Sequence, residues 1–322
     1  MRALLYLGER NLEVREIPEP EGAFLVRILA CDICGTDLKT WLHGHPNFRP
    51  PCILGHEFIG LVERAPEGSG FRPGDAVVVA PYGECGACEI CRKGAGELCR
   101  EKRHVSSGAL CELVEVPSDL VRDAVIRLDS PDDAYTLVEP LACVLTAMDK
   151  LCITPQSRVL IAGGGPMGVL FALTLASQNV DVAVSEPADA RREQVSAFGI
   201  RTLKPEDVNA GEYDNIVVAV NLPALVEEYV KGIGDNGTVH VFAGLPAHTA
   251  LSLDAYAIHY RGVTVTGSSG FKLPAFHRAH EIIKADPVHF RRLITHRFDL
   301  SQASRAFETL AEGLAFKVLI RP

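Results

Sequence analysis

Two textures of apolar residues divide this 322-residue chain. Early on they come as short β-branched runs: FLVRILA (Phe24–Ala30), FIGLVERA (Phe58–Ala65) and DAVVVA (Asp75–Ala80). Gly, Pro and acidic residues punctuate them, which predicts strands of an antiparallel, barrel-like sheet. From about Pro155 the pattern changes. Buried-type runs RVLIAG (Arg158–Gly163), VDVAVSE (Val180–Glu186), NIVVAV, GTVHVFAG and GVTVTGS alternate with helix-patterned MGVLFALTLASQ, ADARREQVSAFG and LPALVEEYVKGIG. Strands alternating with helices predict a parallel, doubly wound sheet. The tail predicts helices at FHRAHEIIKA and SRAFETLAEG and a closing strand, KVLIRP. The predicted order is β-rich, then α/β, then a mixed tail.

Composition narrows the function classes. The formal charge is −9, and nucleic-acid binders carry basic patches instead. The opening MRALLYLGERNLEVREIPEP lacks the profile of a secretion signal, and no apolar run is long enough to cross a bilayer. A cytoplasmic protein with neither nucleic-acid nor membrane partners is expected. Its ten cysteines are then expected as reduced thiols, which bind metal more often than they pair.

Four of them crowd into ECGACEICRKGAGELC. Cys85, Cys88, Cys91 and Cys99 are separated by two, two and seven residues. Short C-x-x-C hooks bring thiolates to one tetrahedral ion, so a closed structural zinc is predicted, with a four-iron cluster as the alternative. A second constellation is more open. CDICGTD carries Cys31, Cys34, Thr36 and Asp37, GHE carries His56 and Glu57, and VEPLAC carries Glu139 and Cys143. Catalytic zinc takes three mixed ligands and an open position; Cys34, His56 and a carboxylate from Glu139 or Glu57 satisfy that. Cys31 and Cys34 also have the spacing of a redox pair. Thr36 is placed to hydrogen-bond an alcohol oxygen.

GGGPMG runs from Gly163 through Gly165, Pro166 and Met167 to Gly168, between a predicted strand and a predicted helix. That is the context a dinucleotide loop requires: a tight turn, close approach to a pyrophosphate and tight helix packing. Glu186 ends the next strand, placed to accept ribose hydroxyls and favour NAD. Arg191 and Arg192 follow it, and either is able to neutralise a 2′-phosphate instead.

Taken together, CGTD, GHE, the four-cysteine lobe, VEPLA, GGGPMG, SEPADARRE and ITHRFDL resemble the zinc-dependent medium-chain dehydrogenase/reductases of the alcohol dehydrogenase superfamily. VEPLAC, IHYRGVTVTGSSG and ITHRFDL are similar to the sorbitol (polyol) dehydrogenase branch, and SEPADARRE to threonine 3-dehydrogenases. The resemblance implies a GroES-like catalytic domain over residues 1–137, completed by 273–322, with a Rossmann domain inserted over 138–272. It implies an active site in the cleft between them, catalytic zinc on Cys34, His56 and Glu139 with Glu57 ligating in some states, and structural zinc on the four cysteines. It further implies NAD, a homodimer or homotetramer, and hydride transfer from a secondary alcohol, polyol or sugar first and L-threonine second. Three departures stand out. Lys39 occupies a place where such enzymes often carry a relaying histidine, with His43 and His45 nearby. The segment after Cys99, REKRHVSSGALCELVEVP, and the entry PEPEGAFLVRI are short. VAVNLP lacks the usual Thr-Gly. A non-catalytic zinc- and nucleotide-binding regulator is the reading from another class. A zinc-free quinone reductase would lack both metal sets.

Overall fold

Residues 317–321 form a strand beside residues 25–32, so the tail of the chain completes a sheet begun near its start. This computed structural model describes residues 1–246, 248–313 and 315–322. Met1–Ala142 and Phe271–Pro322 together make one unit, and Cys143–Gly270 make a second.

In chain order the first unit holds β1 (Arg2–Gly8), β2 (Asn11–Glu16), β3 (Leu25–Asp32), α1 (Gly35–His43), β4 (Cys52–Ile53), β5 (Glu57–Arg64), β6 (Ala76–Val79), β7 (Tyr82–Gly83), α2 (Glu89–Arg92), β8 (Arg103–His104), β9 (Leu113–Glu115), α3 (Ser118–Ala124) and β10 (Val125–Arg127). Then α4 (Val138–Met148) carries the chain into the second unit, with β11 (Arg158–Ala162), α5 (Pro166–Ser177), β12 (Asp181–Ser185), α6 (Asp189–Ser196), β13 (Arg201–Leu203), β14 (Asn215–Val218), α7 (Pro223–Gly232), β15 (Thr238–Val241), α8 (Ala255–Tyr260) and β16 (Thr264–Gly267). The tail returns with α9 (Leu273–Ala285), α10 (Pro287–Arg291), β17 (Ile294–Asp299), α11 (Ala303–Ala311) and β18 (Lys317–Arg321).

The largest sheet of the first unit runs β10-β6-β5-β3-β18-β17, with β9 also on β3. It is antiparallel, as its alternating runs predict, except that β17 and β18 pair in parallel. Val318, Leu319 and Ile320 are fully buried. Each contributes roughly 1.5–3 kcal/mol of transfer free energy, which seats the tail. Ion pairs reinforce it: Arg297 and Arg321 both bind Asp133, and Arg291 binds Asp132. The β1–β2 hairpin lies outside the predicted strands. β2 is polar and largely exposed, so it shows no buried alternation. Glu-Pro in VEPLAC reads as a turn on its own, yet both residues fall in the first turn of α4, where proline's missing N–H costs nothing.

The second unit has six parallel strands in the order β13-β12-β11-β14-β15-β16. This is the doubly wound order in which ligands bind at the carboxyl ends of the strands where the order reverses. β11 and α5 are buried on nearly every side, which explains their unbroken apolar runs.

His240, on β15, is fully buried. Its Nε2 lies 3.0 Å from Ser268 Oγ, and its Nδ1 has no partner among the described residues. Burial, aided by Lys150, pushes its pKa down to about 4. The unfolded chain therefore takes up a proton below about pH 6.5 that the folded chain refuses until about pH 4. Stability is lost as pH falls through that window, by about 3 kcal/mol at most. His240→Gln should flatten this part of the acid-stability curve, measured by urea unfolding from pH 7 to 4. An unchanged slope would remove His240 as the cause.

Candidate active site

The four clustered cysteines converge on one point. Their sulfurs lie within 4.8 Å of one another. Individual separations are 3.5 Å (Cys88–Cys91) and 3.9 Å (Cys85–Cys91 and Cys88–Cys99). Sulfurs about 2.3 Å from a tetrahedral ion stand about 3.8 Å apart. That spacing fits a single ion and leaves no room for a four-iron cluster. Three backbone amides point at the sulfurs: Cys88 N at Cys85 (3.3 Å), Cys85 N at Cys99 (3.5 Å) and Glu101 N at Cys99 (3.4 Å). Such donors favour thiolate over thiol.

Cys34, His56 and Glu57 form a second group within the same 4.8 Å limit. Cys34 is the residue that caps α1, so its thiol stands at a strand-to-helix corner. His56 and Glu57 lead into β5. Asp37, fully buried three residues beyond Cys34, holds the corner together. Its Oδ2 accepts from Cys34 N at 3.0 Å, its Oδ1 accepts from Gly55 N at 3.1 Å, and Oδ1 lies 3.6 Å from His56 Nδ1. Burial raises the Asp37 carboxyl, but His56 and the two amides more than offset this and hold it below its usual value. Burial likewise opposes charge on His56, while Asp37 and Cys34 hold the imidazole well above its usual value. With Nδ1 turned to Asp37, Nε2 remains to meet a metal.

Glu57 is fully buried. Its Oε2 accepts a hydrogen bond from Lys317, and its Oε1 has no partner among the described residues. An orphaned carboxylate oxygen, a thiol and an imidazole on one point fit a divalent metal of the zinc type. Burial would lower the Lys317 ammonium, yet Glu57, Cys34 and Asp32 hold it well above its usual value. Asp32, beside Glu57 across the sheet, is pushed up to about 7, because burial outweighs the pull of Lys317.

The remaining candidates fall in different places. Glu139, buried in α4, is not in the group with Cys34 and His56. Thr36 is half-buried in the first turn of α1, two residues from Cys34. Lys39 is exposed on the same helix. The Nδ1 of His45 accepts from Asn47 N at 3.2 Å within its own turn. The carboxylates of Asp37 and Glu112 are both engaged within the protein. Asp37 serves the corner, and Glu112 binds Arg2 through its backbone N (2.6 Å) and Nε (2.9 Å). Cys31 is no redox partner for Cys34. It is a free, fully buried thiol packed where a side chain at Gly55 would stand, and burial holds it well above its usual pKa. Sequence reasoning missed Lys317, which lies 260 residues from its partner.

In the second unit the glycine loop has the predicted shape. Gly163 has φ +116, and a Cβ there would meet Val220 at 2.5 Å. A Cβ on Gly168 would meet the Gly163 carbonyl at 2.0 Å. Around Gly165 the space is open, and Gly165 and Pro166 begin α5. Met167 is half-buried in its first turn. Open space at a helix N-terminus fits a pyrophosphate. Glu186 is fixed by two amides, Gly164 N on Oε2 and Ala188 N on Oε1, both at 3.0 Å. Arg192 donates to the carbonyls of Glu186 and Pro187 at 2.7 Å and pairs with Asp189, so its guanidinium braces the loop. Arg191 is half-buried in the field of Glu186. No helix among the described residues is long and apolar enough to cross a membrane.

Comparison with known proteins finds relatives along the whole chain. The profile of the alcohol dehydrogenase GroES-like domain matches residues 20–125. L-threonine 3-dehydrogenase of Pyrococcus abyssi is 29% identical over 97% of this chain and 94% of its own length. Sorbitol dehydrogenase of Bombyx mori is 27% identical over 97% of this chain and 96% of its own. Among solved structures, a protein from Sinorhizobium meliloti assigned as a zinc-binding dehydrogenase, with NADP bound, superposes with a TM-score of 0.89. It is 27% identical over 100% of this chain and 99% of that one.

Asp37→Ala should weaken metal binding at the Cys34 group about 10- to 100-fold, read by competition with a chromogenic chelator. Undiminished affinity would show that the aspartate does not orient the ligands. Cys91→Ser should lower the unfolding midpoint and release one metal, while the folded fraction keeps its turnover. A folded, stable variant without turnover would contradict a purely structural role.

Proposed function

The chain belongs to the medium-chain dehydrogenase family, and on that premise we propose that it oxidises a secondary alcohol, reversibly, with NAD. Family membership makes it an alcohol dehydrogenase-type oxidoreductase. The observation that carries the finer reading is the mixed trio of Cys34, His56 and Glu57, with a Glu57 oxygen that has no partner among the described residues. When bound, zinc at this trio supplies Lewis acidity toward an alcohol oxygen, and the dinucleotide supplies the hydride acceptor. Cys34 and His56 hold the ion, and Asp37 keeps the imidazole in one tautomer and orientation. The Thr36 hydroxyl accepts the first hydrogen bond from the alcohol. From Thr36 the proton passes to the solvent that Lys39, exposed on the same helix, faces. Cys85, Cys88, Cys91 and Cys99 hold a second zinc with no coordination position left for chemistry.

Gly163, Gly165, Pro166, Met167 and Gly168 cradle the pyrophosphate. Glu186, with both oxygens already oriented by amides, accepts the ribose hydroxyls and repels a 2′-phosphate. The engagement of Arg192 with the loop carbonyls supports NAD, since that guanidinium is committed elsewhere. Arg191 lines the adenosine side. A polyol or sugar is the first substrate class, supported by the sorbitol dehydrogenase relative. The similarity to a threonine 3-dehydrogenase supports L-threonine as the second.

The test is NADH formation by zinc-loaded protein on polyols, sugars, simple secondary alcohols and L-threonine, with and without chelator. Chelator-sensitive turnover on polyols is expected. Turnover confined to L-threonine selects the second reading, and turnover indifferent to zinc rejects both. NAD should outperform NADP, and Glu186→Ala should cut kcat/KM for NAD roughly 10-fold or more, the scale of a lost charged hydrogen bond. A wild-type preference for NADP would overturn the role given to Glu186.

A further inference from the structure

Asp32 and Glu57 stand directly opposite one another across the β3–β5 pair, both fully buried. Like charges at opposing strand positions destabilise a sheet, and burial raises that cost. The cation that faces both is Lys317 of β18, itself 2% exposed. Its ammonium bonds Glu57 Oε2. Each carboxylate keeps one buried oxygen without a partner among the described residues, Oδ1 of Asp32 and Oε1 of Glu57. Asp32 Oδ2 is 2.8 Å from the Thr136 hydroxyl, which lies equally close to the Asp133 carbonyl. An ammonium that faces one carboxylate alone is free to bridge both of its oxygens. A second carboxylate opposite draws it to one side.

We propose that Asp32 is a positioning residue for Glu57: by sharing Lys317 it keeps Oε1 of Glu57 free as an oxygen donor to a divalent cation held with Cys34 and His56. This rests on the metal reading given above and adds a residue outside the ligand set. Removing the charge of Asp32 would let Lys317 settle fully on Glu57 and weaken the carboxylate as a ligand. Asp32 touches neither substrate nor metal in this scheme and acts only through its neighbour.

The probe is Co2+ on the full chain at pH 8.5. Its d–d and thiolate charge-transfer bands separate a mixed sulfur–nitrogen–oxygen site from a four-thiolate one. Asp32→Asn should bind Co2+ at the mixed site about tenfold more weakly, with d–d bands moved toward those of Glu57→Gln. Added to Glu57→Gln, it should change nothing further, because coupled residues are non-additive. Thr136→Val keeps the charge but releases Asp32, and should move the same bands in the same direction by less. It also decides the matter if Asp32→Asn does not fold. Wild-type affinity and bands in Asp32→Asn, or an equal loss with and without Glu57→Gln, would overturn the inference. A wild-type protein with no mixed-ligand band would overturn the metal reading itself, and the inference with it.

Discussion

A buried lysine from the last strand of the chain meets a buried glutamate beside the candidate metal ligands, and the rest of the first unit is arranged around that pair. Lys317 and Glu57 are 260 residues apart. Taking both charges out of water costs several kcal/mol, and losing one partner leaves the other uncompensated at about 3–5 kcal/mol. The pair forms only when β18 is seated beside β3, with Val318, Leu319 and Ile320 in the core. The buried charge of Glu57 is therefore compensated by Lys317 only when the tail has docked.

The buried carboxylates near that corner divide their work by what they bond. Asp37 is saturated by two amides and an imidazole, so it orients. Glu57 has one oxygen on Lys317 and one left over, so it is able to ligate. The four-cysteine lobe is the opposite case. Its sulfurs supply every position of a tetrahedral ion, and amides from its own loop stabilise them. The first group offers four donors to an ion and the second offers three. That difference separates a pin from a centre able to take a substrate oxygen.

The second unit solves a different problem with backbone alone. Gly163 and Gly168 allow a turn and a close approach that any Cβ would block, and Glu186 is held ready by amides of the loop it faces. Here one charged side chain that follows Glu186, Arg192, is spent on structure. A reading from charge alone would have left it as a phosphate partner.

Several features were legible in the residues themselves. The 2-2-7 cysteine spacing, the glycine pattern and the two-sided apolar strands are local, set by ligand reach, Cβ sterics and burial over a few residues. These alone determined a four-cysteine loop spaced for one tetrahedral ion, a dinucleotide-type turn and the succession of β and α/β regions. The tertiary structure decided what depends on partners far apart in the chain. It set Glu57 beside Cys34 and His56, placed β17 parallel to β18, left Lys39 in solvent, and turned Asp37 inward. It also paired Lys317 with Glu57. A lysine near the end of a chain has no local feature that marks it as buried. Only the strand register that sets it against a carboxylate does so.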